Sequence, residues 1–266
     1  MPLTLQLRRT SPWDPPTPLD HLLTSPIQGL TSFFYHRILL PLQGTPAGVR
    51  YYHYYYPSVV HNRVSSPKPD HGGDKIRIVC LSDTHTNTLK EGGIPEGDVL
   101  IHAGDLTNEG TPEEINAQLD WLRGLPHQWK VVVGGNHDSG FDPGTGATHL
   151  DLSLGCPSLL RELWRVRPRL HVFGHVHAAH GTEVVWYDAC QREYERLMLR
   201  PAKGLLWDLI PSMKWVESLS VVWYGVLSIV RRWFGGSRQG GLLVNAAVMY
   251  RDSGVLGNPV TVVELD

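Results

Sequence analysis

Four short clusters of oxygen and nitrogen ligands recur along the middle of this 266-residue chain: SDTH at 82–85, GDLT at 104–107, GNHD at 135–138 and GHVH at 174–177. Between them they offer Asp83, His85, Asp105, Asn136, His137, Asp138, His175 and His177. Carboxylate, imidazole and amide oxygen together suit Zn, Fe or Mn better than the all-oxygen cages of Ca and Mg. One carboxylate can bridge two cations. Two cations ~3.5–4 Å apart can clamp the attacking and leaving oxygens of a phosphoryl displacement, with a water of lowered pKa as nucleophile. No Ser or Cys nucleophile is then needed. Each cluster alone is weak, since a DxH or GD is usually a turn; four in order, each behind a strand, form a specific pattern.

The elements that must present these clusters are legible around them. Ile76–Leu81 is a short β-branched run bounded by polar loops, and 99–103 and 130–133 repeat that pattern, so each is expected to be a strand. Between the last two, Thr111 as N-cap, Pro112 at the first helical position and Glu114 start a helix with Ile115, Leu119 and Leu122 on one face; Pro126 stops it. A second helix is expected at 157–166, then strands at 170–173, 242–245 and 260–263. Alternating strands and helices give an α/β domain. Ligands in open α/β sheets lie beyond the carboxyl ends of strands, so the four loops are expected to share one mouth, with glycines permitting the tight turns.

In this order, D-x-H, G-D, G-N-H-D and G-H-x-H resemble the motifs of the calcineurin-like metallophosphoesterase superfamily. The surrounding words SDTHTN, VLIHAGDLTNEGT, LPHQWKVVVGGNHD, RPRLHVFGHVH and LLVNAAV are similar to its small MPPED-type branch. The resemblance runs from about Lys75 to Asp266. It implies a layered sheet flanked by helices, two divalent metal ions (Mn, Fe or Zn) and hydrolysis of a phosphomonoester or phosphodiester by metal-bound hydroxide. By matching motif, it puts Asp83, His85 and His177 on the first metal, Asp105 between both, and Asn136 and His175 on the second. His137 would orient the phosphate or protonate the leaving oxygen, with Asp138 fixing its ring. His102 and His171 are read as packed histidines near the site.

The sequence departs from that pattern in one place. Family members carry a further element between GNHD and GHxH, ending in a T-H-x-P-P-like loop whose histidine completes the second metal site. Here Asn136 and His175 are only 39 residues apart. The intervening 141–156 holds a single histidine, His149, without the prolines. An internal deletion is the reading, with some strands missing, an open sheet edge and a weak second metal site unless His149 fills it. The alternative function is a catalytically impaired metal-binding or interaction protein.

Composition narrows the rest. Lys+Arg 24 against Asp+Glu 26 leaves a net charge of -2, which argues against nucleic acid as the main partner; a small phosphoester is expected instead. Three cysteines outside any CxxC spacing exclude a disulfide scaffold and fit a reducing, cytoplasmic setting. No secretory signal is read at 1–20, where Arg8, Arg9, Asp14 and prolines interrupt any apolar run. Residues 1–74 are assigned to an N-terminal extension and polar linker. Its aromatic run YYHYYY at 51–56 is expected to lie on the core rather than to stack bases. The domain is placed at 75–266, with an insertion at about 188–240. Within that insertion, LSVVWYGVLSIV at 219–230, followed by RRWF, is either a packed amphipathic helix or a peripheral membrane contact through 219–234.

Overall fold

The computed structural model describes residues 17–54, 75–90, 92–138, 157–236, 238–251 and 253–266. Two compact units divide the chain. One comprises Ala47–Leu163, Pro168–Glu183 and Leu242–Asp266; the other comprises Met1–Pro46, Trp164–Arg167 and Val184–Gly241. We refer to them as the sheet unit and the helical unit.

In the sheet unit, β1 (Val49–Tyr54), β2 (Ile76–Leu81), β3 (Val99–His102), β4 (Trp129–Val132) and β8 (Val260–Leu265) form one sheet in the order β1-β8-β2-β3-β4. β2, β3 and β4 run parallel, in a register that places Val79 beside Leu100 and Leu100 beside Lys130. β8 is antiparallel to both β2 and β1. β2 is buried from Arg77 to Leu81, and its residues 78–81 are apolar throughout rather than alternating, as a strand covered on both faces requires. Val79, Leu81, Leu100, Leu106, Leu122, Val248, Val260 and Val262 make the core.

Helix α4 (Pro112–Gly124) connects β3 to β4 and contributes Leu122 to that core. Its cap forms as the sequence requires: Thr111 Oγ1 accepts from Glu114 N–H at 3.2 Å. The Glu114 carboxylate accepts from Glu109 N–H at 2.9 Å, two residues before the Thr111 N–H that a capping box predicts.

A second sheet has the order β5-β7-β6, from β5 (Leu170–Phe173), β6 (Gly181–Trp186) and β7 (Gly240–Asn245), with β5 and β7 parallel. Helix α5 (Pro157–Val166) precedes it. The mixed α/β class and the layered sheets flanked by helices therefore agree with the sequence expectation. The sheet unit begins at Ala47, and 49–54 pair with β8 as a strand. Among the described residues β4 pairs only with β3 and leaves Trp129, Val131 and Val133 exposed. The 141–156 segment, His149 included, lies outside the described residues.

The helical unit consists of α1 (Pro18–Thr24), α2 (Pro26–Phe34), a π-turn at Tyr35–Leu39, α3 (Leu40–Gln43), α6 (Ala189–Met198), α7 (Leu205–Asp208) and α8 (Met213–Trp233). Tyr35, Leu39, Cys190 and Val221 form its small core, and the Tyr35 ring stacks on Tyr194 at 4.1 Å.

Candidate metal centre

The parallel ladder of β2 and β3 continues past the strand ends into the loops. Asp83 N–H donates to Gly104 O (3.0 Å), His85 N–H to Asp105 O (3.1 Å) and Thr86 N–H to Leu106 O (2.7 Å). Along this zipper the backbone enters the left-handed region at non-glycine residues, with φ +57° at Asp83, +47° at His85 and +53° at Asp105; in the loop after β5, φ is +74° at His175. Such conformations cost roughly 1–3 kcal/mol each and persist where surrounding structure over-determines them, often at functional sites. Here they fall on four of the predicted ligands.

The motif glycines are explained by close approach. A Cβ on Gly174 would run into Ser82 and the Asp83 carboxylate, and one on Gly135 into Asp105. The loop after β5 can therefore lie directly against Asp83, whose two oxygens accept from His175 N–H at 2.9 and 3.0 Å. Asp83 is fully buried. Burial works against its charge, but hydrogen bonds from His177, Ser82 and His175 N–H prevail and hold its carboxyl below the usual range.

Asp83, His85 and His177 bring one ligand atom each within 4.8 Å of one another. His177 Nε2 lies 3.2 Å from Asp83 Oδ1 and 3.3 Å from His85 Nε2. The other ring nitrogen of His177, Nδ1, is 2.6 Å from Arg251 O. A carbonyl only accepts, so Nδ1 carries the proton and the Nε2 lone pair faces the cluster. That is the tautomer a metal ligand needs, with the outer partner a metal-binding histidine ordinarily has. The donor set therefore fits a divalent cation.

Asp105 and His175 stand outside this tight group. Asp105 accepts from His137 N–H at 3.0 Å. Burial raises its carboxyl above the usual range, and the nearby Asp83 charge adds to the effect. Two buried carboxylates side by side call for a positive counterpart. His175 meets Asp83 through its backbone while its side chain is exposed, and Asn136 is half-buried in the loop after β4.

His137 packs edge-on against His85, with centroids 4.8 Å apart. Its expected ring partner is Asp138, and here the structure differs: His137 Nδ1 is 2.8 Å from Asn108 O. The Asp138 carboxylate is engaged elsewhere. It accepts from Leu106 N–H (3.1 Å), Thr107 N–H (2.9 Å), Thr107 Oγ1 (2.7 Å) and Gly135 N–H (2.8 Å). With so many donors converging, Asp138 clamps the loops after β3 and β4 together.

His102 is fully buried, its Nε2 3.0 Å from Thr84 Oγ1, in keeping with a packed role under the site. Asn245 was read only as a strand end. Its side chain donates to Val176 O at 2.9 Å and so supports the GHVH loop. The rule that a polar residue at a strand's carboxyl end serves the site would have found it. Asn258, which donates to Ala247 O and Met249 O, had no such marker. A cavity of about 390 Å³ shares Asn87 and Asn258 with these loops and is also lined by Lys90 and Tyr54.

The family model described as calcineurin-like phosphoesterase matches residues 76–210. Metallophosphoesterase domain-containing protein 1 of Homo sapiens is 47% identical over 77 residues, 29% of this chain and 22% of that protein. A UPF0046 protein of Caenorhabditis elegans is 47% identical over 79 residues, 30% of this chain and 27% of that protein. A protein of Emericella nidulans named probable rhamnogalacturonate lyase C is 34% identical over 201 residues, 46% of this chain and 19% of that protein. The matches thus span about a quarter or less of these relatives. In the last case the alignment is longer than 46% of 266 residues, so that relative carries residues there which this chain lacks.

Proposed function

The chain belongs to the calcineurin-like phosphoesterase family, and we propose from that premise that it hydrolyses a small phosphomonoester or phosphodiester in a metal-dependent reaction. The observation that carries this reading is the convergence of Asp83, His85 and His177, with the His177 tautomer set by Arg251 O. Asp83, His85 and His177 would hold one divalent cation and Asp105, Asn136 and His175 a second, and such ions would supply Lewis acidity toward water and the phosphoryl oxygens. The chain's own residues do the rest. His137, its Nδ1–H held by Asn108 O, keeps Nε2 for the substrate. As imidazolium it donates to a phosphoryl oxygen or gives its proton to the leaving oxygen, returning to the neutral ring with Nδ1–H still in place. Asp138 keeps the two neighbouring loops in register.

The reading includes unequal metal sites. Asp83, His85 and His177 gather tightly, whereas among the described residues Asp105, Asn136 and His175 form a second set one imidazole short of what the resemblance implies; His149, which could fill it, lies outside those residues. A weakly filled second site lowers activity, which is the specific point in favour of a catalytically impaired, metal-binding protein. Metal analysis beside turnover of a generic aryl phosphodiester tests both. One firmly bound ion with metal-dependent turnover that Asp105→Asn abolishes, together with reduced metal content, is the expected result. Full activity and normal metal in Asp105→Asn would falsify the bridging assignment. Metal binding without turnover at any ion concentration leaves the impaired reading.

A further inference from the structure

Helix α8 is amphipathic with its faces reversed. Its buried stripe is Lys214, Glu217, Val221, Gly225 and Ser228. Its exposed stripe is Trp215, Val216, Leu219, Val222, Trp223 and Val226, a spacing that makes one continuous helix face. The inward polar groups are satisfied within the unit. Lys214 Nζ meets Asp208 Oδ1 at 2.9 Å, Arg200 meets Glu217 at 2.7 Å, and Ser228 Oγ donates to Asp188 at 3.0 Å. Gly225 sits where a Cβ would strike Leu39, so the helix packs closely on that side. The reversal extends to α7 and the residues after it, where Leu206, Trp207 and Leu209 are 75%, 60% and 67% exposed. Of the 30 exposed large hydrophobics among the described residues, 21 belong to the helical unit. Apolar surface gathered in this way marks an interaction site.

Charge identifies the partner. The helical unit holds 13 Lys and Arg against 7 Asp and Glu, a net +6 in a chain whose total is -2. Exposed Arg231 and Arg232 end α8 beside Trp233 and Phe234, and Lys203 lies over the Trp207 ring at 5.9 Å. A cavity of about 320 Å³ places Lys203 beside Trp207, Ile210 and Met213; on the same lining Arg200 is paired with Glu217, and Lys214 with Asp208. An ammonium group beside large apolar groups complements a headgroup phosphate beside its acyl chain. Trp and Arg around an apolar helix face are the composition of an interfacial segment.

We propose that the helical unit docks on an anionic lipid surface, with α7 and α8 lying in the plane of the interface and the 215–226 face turned into the acyl boundary. By length and composition α8 could cross a bilayer. Its inward side, however, is packed on α6, with Cys190 Sγ 3.4 Å from Val221 O. A spanning α8 would carry Arg192, Glu193, Glu195 and Arg196 of α6 into hydrocarbon, where charges are strongly disfavoured. Lying in the plane leaves them in water.

Flotation of the full-length protein with phosphatidylcholine vesicles, and with vesicles containing about 30% phosphatidylserine, tests this. Binding to the anionic vesicles is expected, with blue-shifted tryptophan emission, weakening at high salt and release by alkaline carbonate. The double variant Leu219→Glu/Trp223→Glu changes two exposed side chains. It should keep the parent circular dichroism and bind roughly tenfold more weakly or worse. Absence of flotation with either vesicle, or unchanged flotation of the variant, overturns the proposal. Resistance to carbonate overturns the in-plane placement, and a soluble dimer that the variant makes monomeric, without flotation, assigns the face to a second copy instead.

Discussion

His137 and His102 sit on the same side of the sheet unit's chemistry but do opposite things. His137 has one nitrogen tied to Asn108 O, and in the proposed reaction the other serves the substrate. His137→Ala should therefore lower kcat by roughly 10²–10⁴-fold, the usual worth of proton-transfer assistance, while metal analysis finds the parent content; loss of metal would make it a ligand. His102 is sealed in, and burial pushes its pKa down to about 4. An unfolded histidine titrates near ~6.5. Below that pH the unfolded chain takes up a proton that the folded chain refuses, so stability falls as pH drops from ~6.5 to about 4 and is flat below. The loss is on the order of 3 kcal/mol. Urea titrations of chelated protein at neutral and acid pH should show this slope, and His102→Gln should reduce it, leaving the share of His180, whose pKa burial also pushes down to about 4. The cluster of Asp83, His85 and His177 was legible because each of its motifs follows a strand directly. Their supports were not: Asn108 O and Arg251 O are backbone carbonyls, and no residue type announces where a carbonyl will point.

Most elements follow from local pattern. β2, α5 and β5 coincide with their expected bounds, because short β-branched runs and a 3.6-residue periodicity leave few alternatives. The Thr111 cap is the clearest case, and Thr111→Ala should cost about 1 kcal/mol, seen as a melting temperature lower by roughly 2–4 °C. β1 was hidden because its tyrosines read equally well as a segment lying on a core, and only pairing with β8, some two hundred residues away in sequence, makes it a strand. For α8 the periodicity marks an apolar stripe but is silent about which way the stripe faces. That is decided by Lys214, Glu217 and Ser228 finding partners on Asp208, Arg200 and Asp188, which sequence spacing does not encode.

For the molecule as a whole, the sequence pI near 6.7 is an average over unlike parts. Against the +6 of the helical unit, the sheet unit carries 11 Lys and Arg and 19 Asp and Glu, a net -8. A near-neutral total ordinarily suggests weak long-range forces between copies. This division gives the reverse: the positive part of one molecule attracts the negative part of another across dilute buffer, and ions shorten that reach to ~8 Å at physiological strength. The protein should accordingly behave as a colloid of patchy zwitterions. Near its isoelectric point, light scattering should fall and solubility rise as salt is added towards ~0.15 M; turbidity that grows with salt over that range would show apolar contact to be the stronger attraction. A purification that desalts this protein at neutral pH should lose it to reversible clouding.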